Sequence, residues 1–139
     1  MADLAEFVAA QEPVWDQVRH ELRVGRKTSH WIWWVFPQLA CLGRSPRARH
    51  FGLTGVEDAA AYLAHPVLGQ RLDEAARLIL AHEGTAPEDI LGEVDALKLR
   101  SSMTLFEAVP DAPPTFAAVL DRLCAGARCP RTRAALAKV

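Results

Sequence analysis

A chain of 139 residues, half of them apolar, has the length and the apolar content to bury one sizeable core, and a second domain is not expected. A net charge of −1 provides no global field to recruit nucleic acid or a membrane, so any anion binding has to be local. No run is apolar enough to span a bilayer, the amino terminus lacks a basic n-region and an apolar h-region, and three cysteines are an odd number for a secreted disulfide framework, so a cytoplasmic protein with free thiols is expected.

In chain order, Leu4, Phe7, Val8 and Gln11 fall at helical spacing until Glu12-Pro13 interrupts them. Pro13 suits the first position of a second helix that carries Trp15, Val18 and Leu22 on one face, and Gly25 is a natural C-terminal cap. Thr28 or Ser29 is placed to cap a short helix from about His30 to Phe36, which Pro37 stops. Ser45-Pro46 reads as another cap and first position.

Thr54 to Glu57 and Thr85 to Glu88 each match a capping box. His65, read as a cap, and Pro66 separate a helix holding Tyr62 from the most regular one, whose stripe is Leu68, Leu72, Ala75 and Ile79. Asp95 is placed to cap a helix from Ala96 to about Ala108, with Leu99, Met103 and Phe106 on a core face and Lys98, Ser101 and Ser102 on the adjacent one. A last pair of helices follows Pro110 to Pro114, the second opened by Cys129-Pro130. No segment alternates like a strand, so the expectation is all-α, a single compact domain over residues 1–139 of about seven to nine helices.

One stretch departs from this Ala/Leu-rich text. Val24 to Gln38 holds two cations, two hydroxyls, an imidazole, three indoles, a phenyl ring and a primary amide in fifteen positions. It also lies within the basic segment from Arg19 to His50, which has seven cations against the one acid Glu21, a net +6. Unpaired N–H groups at a helix start favour an anion, so Arg26, Lys27 and Ser29 are candidates to hold a phosphate or carboxylate. Trp31 and Trp33 are candidates to stack a flat group, although a seven-residue helix cannot turn every indole to a ligand. An imidazole can both give and take a proton, so His30 is a candidate acid or base.

The second candidate is Asp95 to Ser102, where an ammonium and two hydroxyls share a helical face. The order Lys98 then Ser101 is unlike the Ser-x-x-Lys arrangement of Ser/Lys hydrolases, and close helix packing accounts for the hydroxyls equally well. Phosphate loops, paired Cys-x-x-Cys and His-Glu-x-x-His are absent from the sequence; Cys124 and Cys129 are five apart with no histidine after them, so neither a metal nor a cofactor is expected.

Four blocks in order are familiar: Gly25-Arg-Lys-Thr-Ser-His-Trp-Ile-Trp-Trp-Val-Phe-Pro-Gln-Leu39, Leu42-Gly43-x-Ser45, Tyr62-Leu-x-His-Pro-x-Leu-Gly-x-Arg-Leu72, and Asp95-x-x-Lys-x-x-Ser-Ser-Met-Thr-Leu-Phe106. With them the chain resembles the bacterial domain of unknown function 1810 family. The resemblance implies an all-helical single domain and brings no activity with it. A calpastatin label sometimes attached to that family belongs to a long disordered inhibitor, at odds with the apolar content here.

The first reading is therefore a site for a small anionic, nucleotide-like or phosphorylated metabolite. In it Arg26 and Lys27 hold the anion, Trp31 or Trp33 stacks, Gln38 and Ser45 orient, Ser101 and Ser102 line the opposite wall, and His30 with Asp95 or Lys98 moves protons. An enzymatic version is hydrolysis of an ADP-ribose-like glycosidic bond, for which no motif maps onto the chain. The second reading is a helical protein-binding module with an exposed aromatic hot spot and no catalysis. Nucleic acid ranks third, because the cations are too few for a strong phosphate footprint.

Overall fold

The computed structural model describes residues 2–138. Its helices are α1 (Leu4–Gln11), α2 (Trp15–Val24), α3 (Ile32–Val35), α4 (Pro46–His50), α5 (Val56–Ala64), α6 (Leu68–Leu80), α7 (Pro87–Leu91), α8 (Glu93–Glu107), α9 (Thr115–Leu123) and α10 (Pro130–Leu136), with 3-10 turns at Glu12–Val14 and Ala40–Leu42. The chain is all-α, and its one β-type feature among the described residues is an isolated bridge between Leu39 and Leu53. No helix among the described residues is long and apolar enough to cross a membrane.

Two helices organise the packing. α6 presents Leu68, Leu72, Ala75 and Ile79 to α2, α5 and α9, as its sequence stripe predicts. α8 packs against α5, α7, α9 and α10, and its six residues from Ser101 to Phe106 are all buried. A helix surrounded on all sides has no polar face left, so beyond Ser101 the expected division of α8 into a core face and an adjacent polar face is lost. Ser102 is accordingly enclosed, and its hydroxyl has no protein partner among the described residues.

Several expected caps are present. The Asp3 carboxylate and Glu6 form a reciprocal box on α1. Gly25, at φ 85°, ends α2, and the Ser45 hydroxyl accepts from the Ala48 N–H at 3.1 Å. His65 Nδ1 accepts from the N–H groups of Val67 and Leu68, joining α5 to α6. Others differ: Thr54 pairs with Asp58 rather than Glu57, and α7 begins after Ala86 with no side-chain cap. α8 starts at Glu93, after Gly92 turns at φ 88°, so Asp95 lies inside the first turn and not at its cap. That position frees its carboxylate for a long-range partner.

Candidate functional site

The aromatic segment is folded around an acid. Glu21 lies on the face of α2 that also carries Val18 and Leu22, and it is 1 % exposed. Its carboxylate accepts from the N–H groups of Thr28 and Ser29 at 2.7 and 3.0 Å, the Ser29 hydroxyl at 2.5 Å, the Trp31 indole N–H at 3.0 Å and the Gln17 amide at 2.8 Å. Burial pushes this carboxyl up, but the Ser29 hydroxyl and N–H, Gln17 and the Thr28 N–H outweigh it and bring it down to about 2. The Lys27 N–H meanwhile donates to the Ile90 carbonyl at 2.8 Å, fixing the strap to α7.

This geometry corrects the expected anion site at Arg26 to His30. The anion held by those N–H groups is the protein's own carboxylate. With Thr28 and Ser29 engaged by Glu21, Ser29 caps nothing, and the short helix begins at Ile32 with Trp31 at its N-cap position. Trp31 is fully buried, its indole N–H committed to Glu21, and offers no face to a ligand. Arg26 is exposed and lies apart from the cavities described below.

The segment and α8 nevertheless come together. Lys27 Nζ lies 5.1 Å from the centre of the Trp31 ring and 2.8 Å from Asp95 Oδ2, and Lys98 Nζ lies 3.8 Å from Asp95 Oδ1. Lys98 in turn sits over the Trp33 ring at 5.3 Å, with Arg47 over the same ring at 4.9 Å. Cations and indoles thus alternate, with Asp95 between the two lysines. None of the indoles is exposed: Trp15 and Trp31 are buried, and Trp33 and Trp34 are half-buried beneath Arg47.

Three hollows surround this cluster instead of one. The first, about 420 Å³, lies between the Gln38–Ala48 loop, α8 and the start of α10. Its polar wall is Gln38, Arg44, Ser45, Lys98, Ser101 and Arg131, its apolar wall includes Leu42, Ala48, Val94 and Leu97, and no acid lines it. A second, of about 610 Å³, shares Ser45 and adds Trp33, Arg47 and His50. A third, of about 400 Å³, shares Val94 and is lined by Lys27, Ser29, His30 and Asp95. The candidates are therefore divided: Gln38, Ser45, Lys98 and Ser101 share the first cavity, His30 stands on another, and Ser102 is in the core.

Sequence reasoning did not single out Arg44, Arg131 or Cys129 for this wall. Arg131 and Cys129 come from the carboxyl-terminal segment and reach it only because α10 packs on α8. The Cys129 thiol lies 3.3 Å from the Ser101 hydroxyl. Burial raises the thiol, but the Ser101 hydroxyl and the Thr132 and Arg131 groups bring it below the ordinary range.

A larger hollow, about 810 Å³ between α2 and α6, is a different kind of surface. Its cations face its own acids, with Arg19 to Glu74 at 3.0 Å, Arg77 to Asp73 at 2.8 Å and Arg71 to Glu12. Its four acids outnumber its three cations, so it has no positive field to offer an anion. The 420 Å³ cavity does, since no acid lines its wall, although Lys98 also stands 3.8 Å from the Asp95 carboxylate outside it.

Comparison with known proteins gives the same fold and no activity. Residues 1–136 match the family model described as "Protein of unknown function (DUF1810)". The conserved hypothetical protein Rv1873 from Mycobacterium tuberculosis is 49% identical, with a TM-score of 0.94 over 97% of this chain and 96% of that one. Among curated proteins none matches the chain.

Proposed function

The chain belongs to the DUF1810 family, whose description carries no activity, so function rests on the site, and we propose that the 420 Å³ cavity binds a small anionic, phosphorylated metabolite. One observation carries this reading: Arg44, Lys98 and Arg131 converge on a concave wall that contains no acid. Ser45 and Gln38 add hydroxyl and amide groups suited to orienting phosphate oxygens, and Arg forks match their geometry.

Binding is favoured over bond cleavage. Asp95 is paired with Lys27 and faces Lys98, while His30 lines a separate hollow, so the acid, base and anion groups of a hydrolase do not share one cavity. An adapter role would rest on an exposed aromatic patch, and the indoles are buried or half-buried.

The test is isothermal titration and thermal melting with inorganic phosphate and pyrophosphate. Saturable binding with a rise in Tm is expected, weakened about tenfold by Lys98→Ala and less by Arg44→Ala or Arg131→Ala. Arg26→Ala should leave it unchanged. Absence of binding at millimolar ligand, or equal binding by wild type and all three cavity variants, would reject the site.

A further inference from the structure

Among the described residues, the large apolar side chains left mostly exposed are Val24 at 62 %, Val94 at 67 % and Leu97 at 58 %. Two of the three, Val94 and Leu97, are one turn apart on α8 and stand on the wall of the same cavity as the three cations. Leu42 and Ala48 contribute further apolar wall. Solvent-facing helix positions that pack against nothing are ordinarily polar, and an apolar pair beside a cationic cavity is the lining expected for a guest with an apolar part.

That part is aliphatic. No aromatic ring lines the cavity, so a nucleobase placed there has nothing to stack on. The indole face in the adjoining hollow, Trp33, has Arg47 and Lys98 over it at 4.9 and 5.3 Å, and a flat ring would have to displace them. The volume of about 420 Å³ is in the lower part of the range for small-molecule sites, which suits a short chain.

We propose that the cavity takes an alkyl phosphate: a phosphate monoester whose charged end meets Arg44, Lys98 and Arg131 and whose short aliphatic substituent covers Val94 and Leu97. This rests on the reading of the cavity as an anion site and names the class of guest. Recognition is divided, the cations setting affinity for the head and the α8 pair selecting the substituent.

The experiment compares inorganic phosphate with methyl, ethyl and butyl phosphate by isothermal titration on the full chain. Affinity should tighten roughly two- to fourfold per methylene up to butyl, as expected for partial to full burial of each CH2. Leu97→Ser should flatten that series, whereas Val24→Ser, at an exposed apolar position outside the cavity, should keep it as in the wild type; Leu97 is mostly exposed, so its variant keeps its core. Equal affinity across the series overturns the alkyl assignment and leaves the anion site standing, whereas no binding of any of the four rejects the site itself. Adenosine monophosphate binding more tightly than butyl phosphate overturns it in favour of ring stacking. Binding to phosphatidic acid vesicles with none to butyl phosphate overturns it in favour of a membrane headgroup.

Discussion

The Glu21 carboxylate and the Trp31 indole N–H meet at 3.0 Å across ten residues of sequence, and the strap between them is wound around that contact. Glu21 has an ordinary carboxyl value of 4.5 when exposed and is brought to about 2 in the fold, against the upward push of its own burial. A lowered value means stability that is fully present above pH 4.5 and is lost as pH falls through about 2. Glu21→Gln removes that component and leaves donors facing an amide, at a cost of about 2–4 kcal/mol. Urea unfolding of both proteins at several pH values checks this: their difference should shrink between pH 4.5 and 2, and a constant difference would refute the role of the ionised form.

Lys27 and Asp95 make an asymmetric pair. The ammonium is 6 % exposed and the carboxylate 18 %, and only the carboxylate has a second cation, Lys98, at hand. Asp95→Asn strands a buried ammonium and should cost about 3 kcal/mol, whereas Lys27→Met leaves Asp95 facing Lys98 and should cost about 1–2 kcal/mol. Equilibrium unfolding of both single variants and the double variant measures the coupling, expected between about 1 and 3 kcal/mol. Equal losses in the two single variants would show that Lys98 does not compensate.

The sequence made some of this legible and hid the rest for identifiable reasons. Gly25, Ser45 and His65 cap helices as expected because each capping bond is local, reaching at most three residues or needing only a left-handed turn. Juxtaposition of the Trp31–Trp33 segment with the Asp95–Lys98 turn was readable from the concentration of polar and aromatic chemistry in two blocks. Glu21 was not: as the lone acid in a basic run it reads as a surface charge, and its burial depends on four donors seven to ten residues downstream. Arg44 and Arg131 join one wall through tertiary packing alone, which no local pattern records.

Two glycines should tolerate no side chain. A Cβ at Gly69 would lie 2.0 Å from the Leu63 carbonyl oxygen, and one at Gly52 would lie 2.3 Å from Ala40 Cα. The Gly52 approach lets the Leu53 N–H reach the Gln38 carbonyl at 2.9 Å and the Ala40 N–H reach the Leu53 carbonyl at 2.8 Å, which fixes the loop that forms one cavity wall. Gly69→Ala and Gly52→Ala should each cost more than about 3 kcal/mol, because backbone must move. Gly84→Ala, with open space but φ 97°, should cost only about 1–2 kcal/mol. Thermal denaturation ranks the three, and Gly84→Ala proving the worst would contradict the packing described.

The Ser101 hydroxyl is placed to stabilise the thiolate of the buried Cys129. That hydroxyl lies 3.0 Å from the Leu97 carbonyl and 3.3 Å from the sulfur, and one proton serves both, so it turns to the sulfur when the thiol ionises. Ser101→Ala removes that donor and should raise the Cys129 pKa, slowing alkylation at neutral pH several-fold while changing stability by less than about 1 kcal/mol, since the hydroxyl's backbone acceptor stays in the helix ladder. Exposed Cys41 provides an internal reference whose rate should not change. The pH profile of labelling at each cysteine, followed by peptide mass analysis, separates the two sites. An unshifted Cys129 profile in the variant would mean that the Thr132 and Arg131 groups alone hold the sulfur's charge.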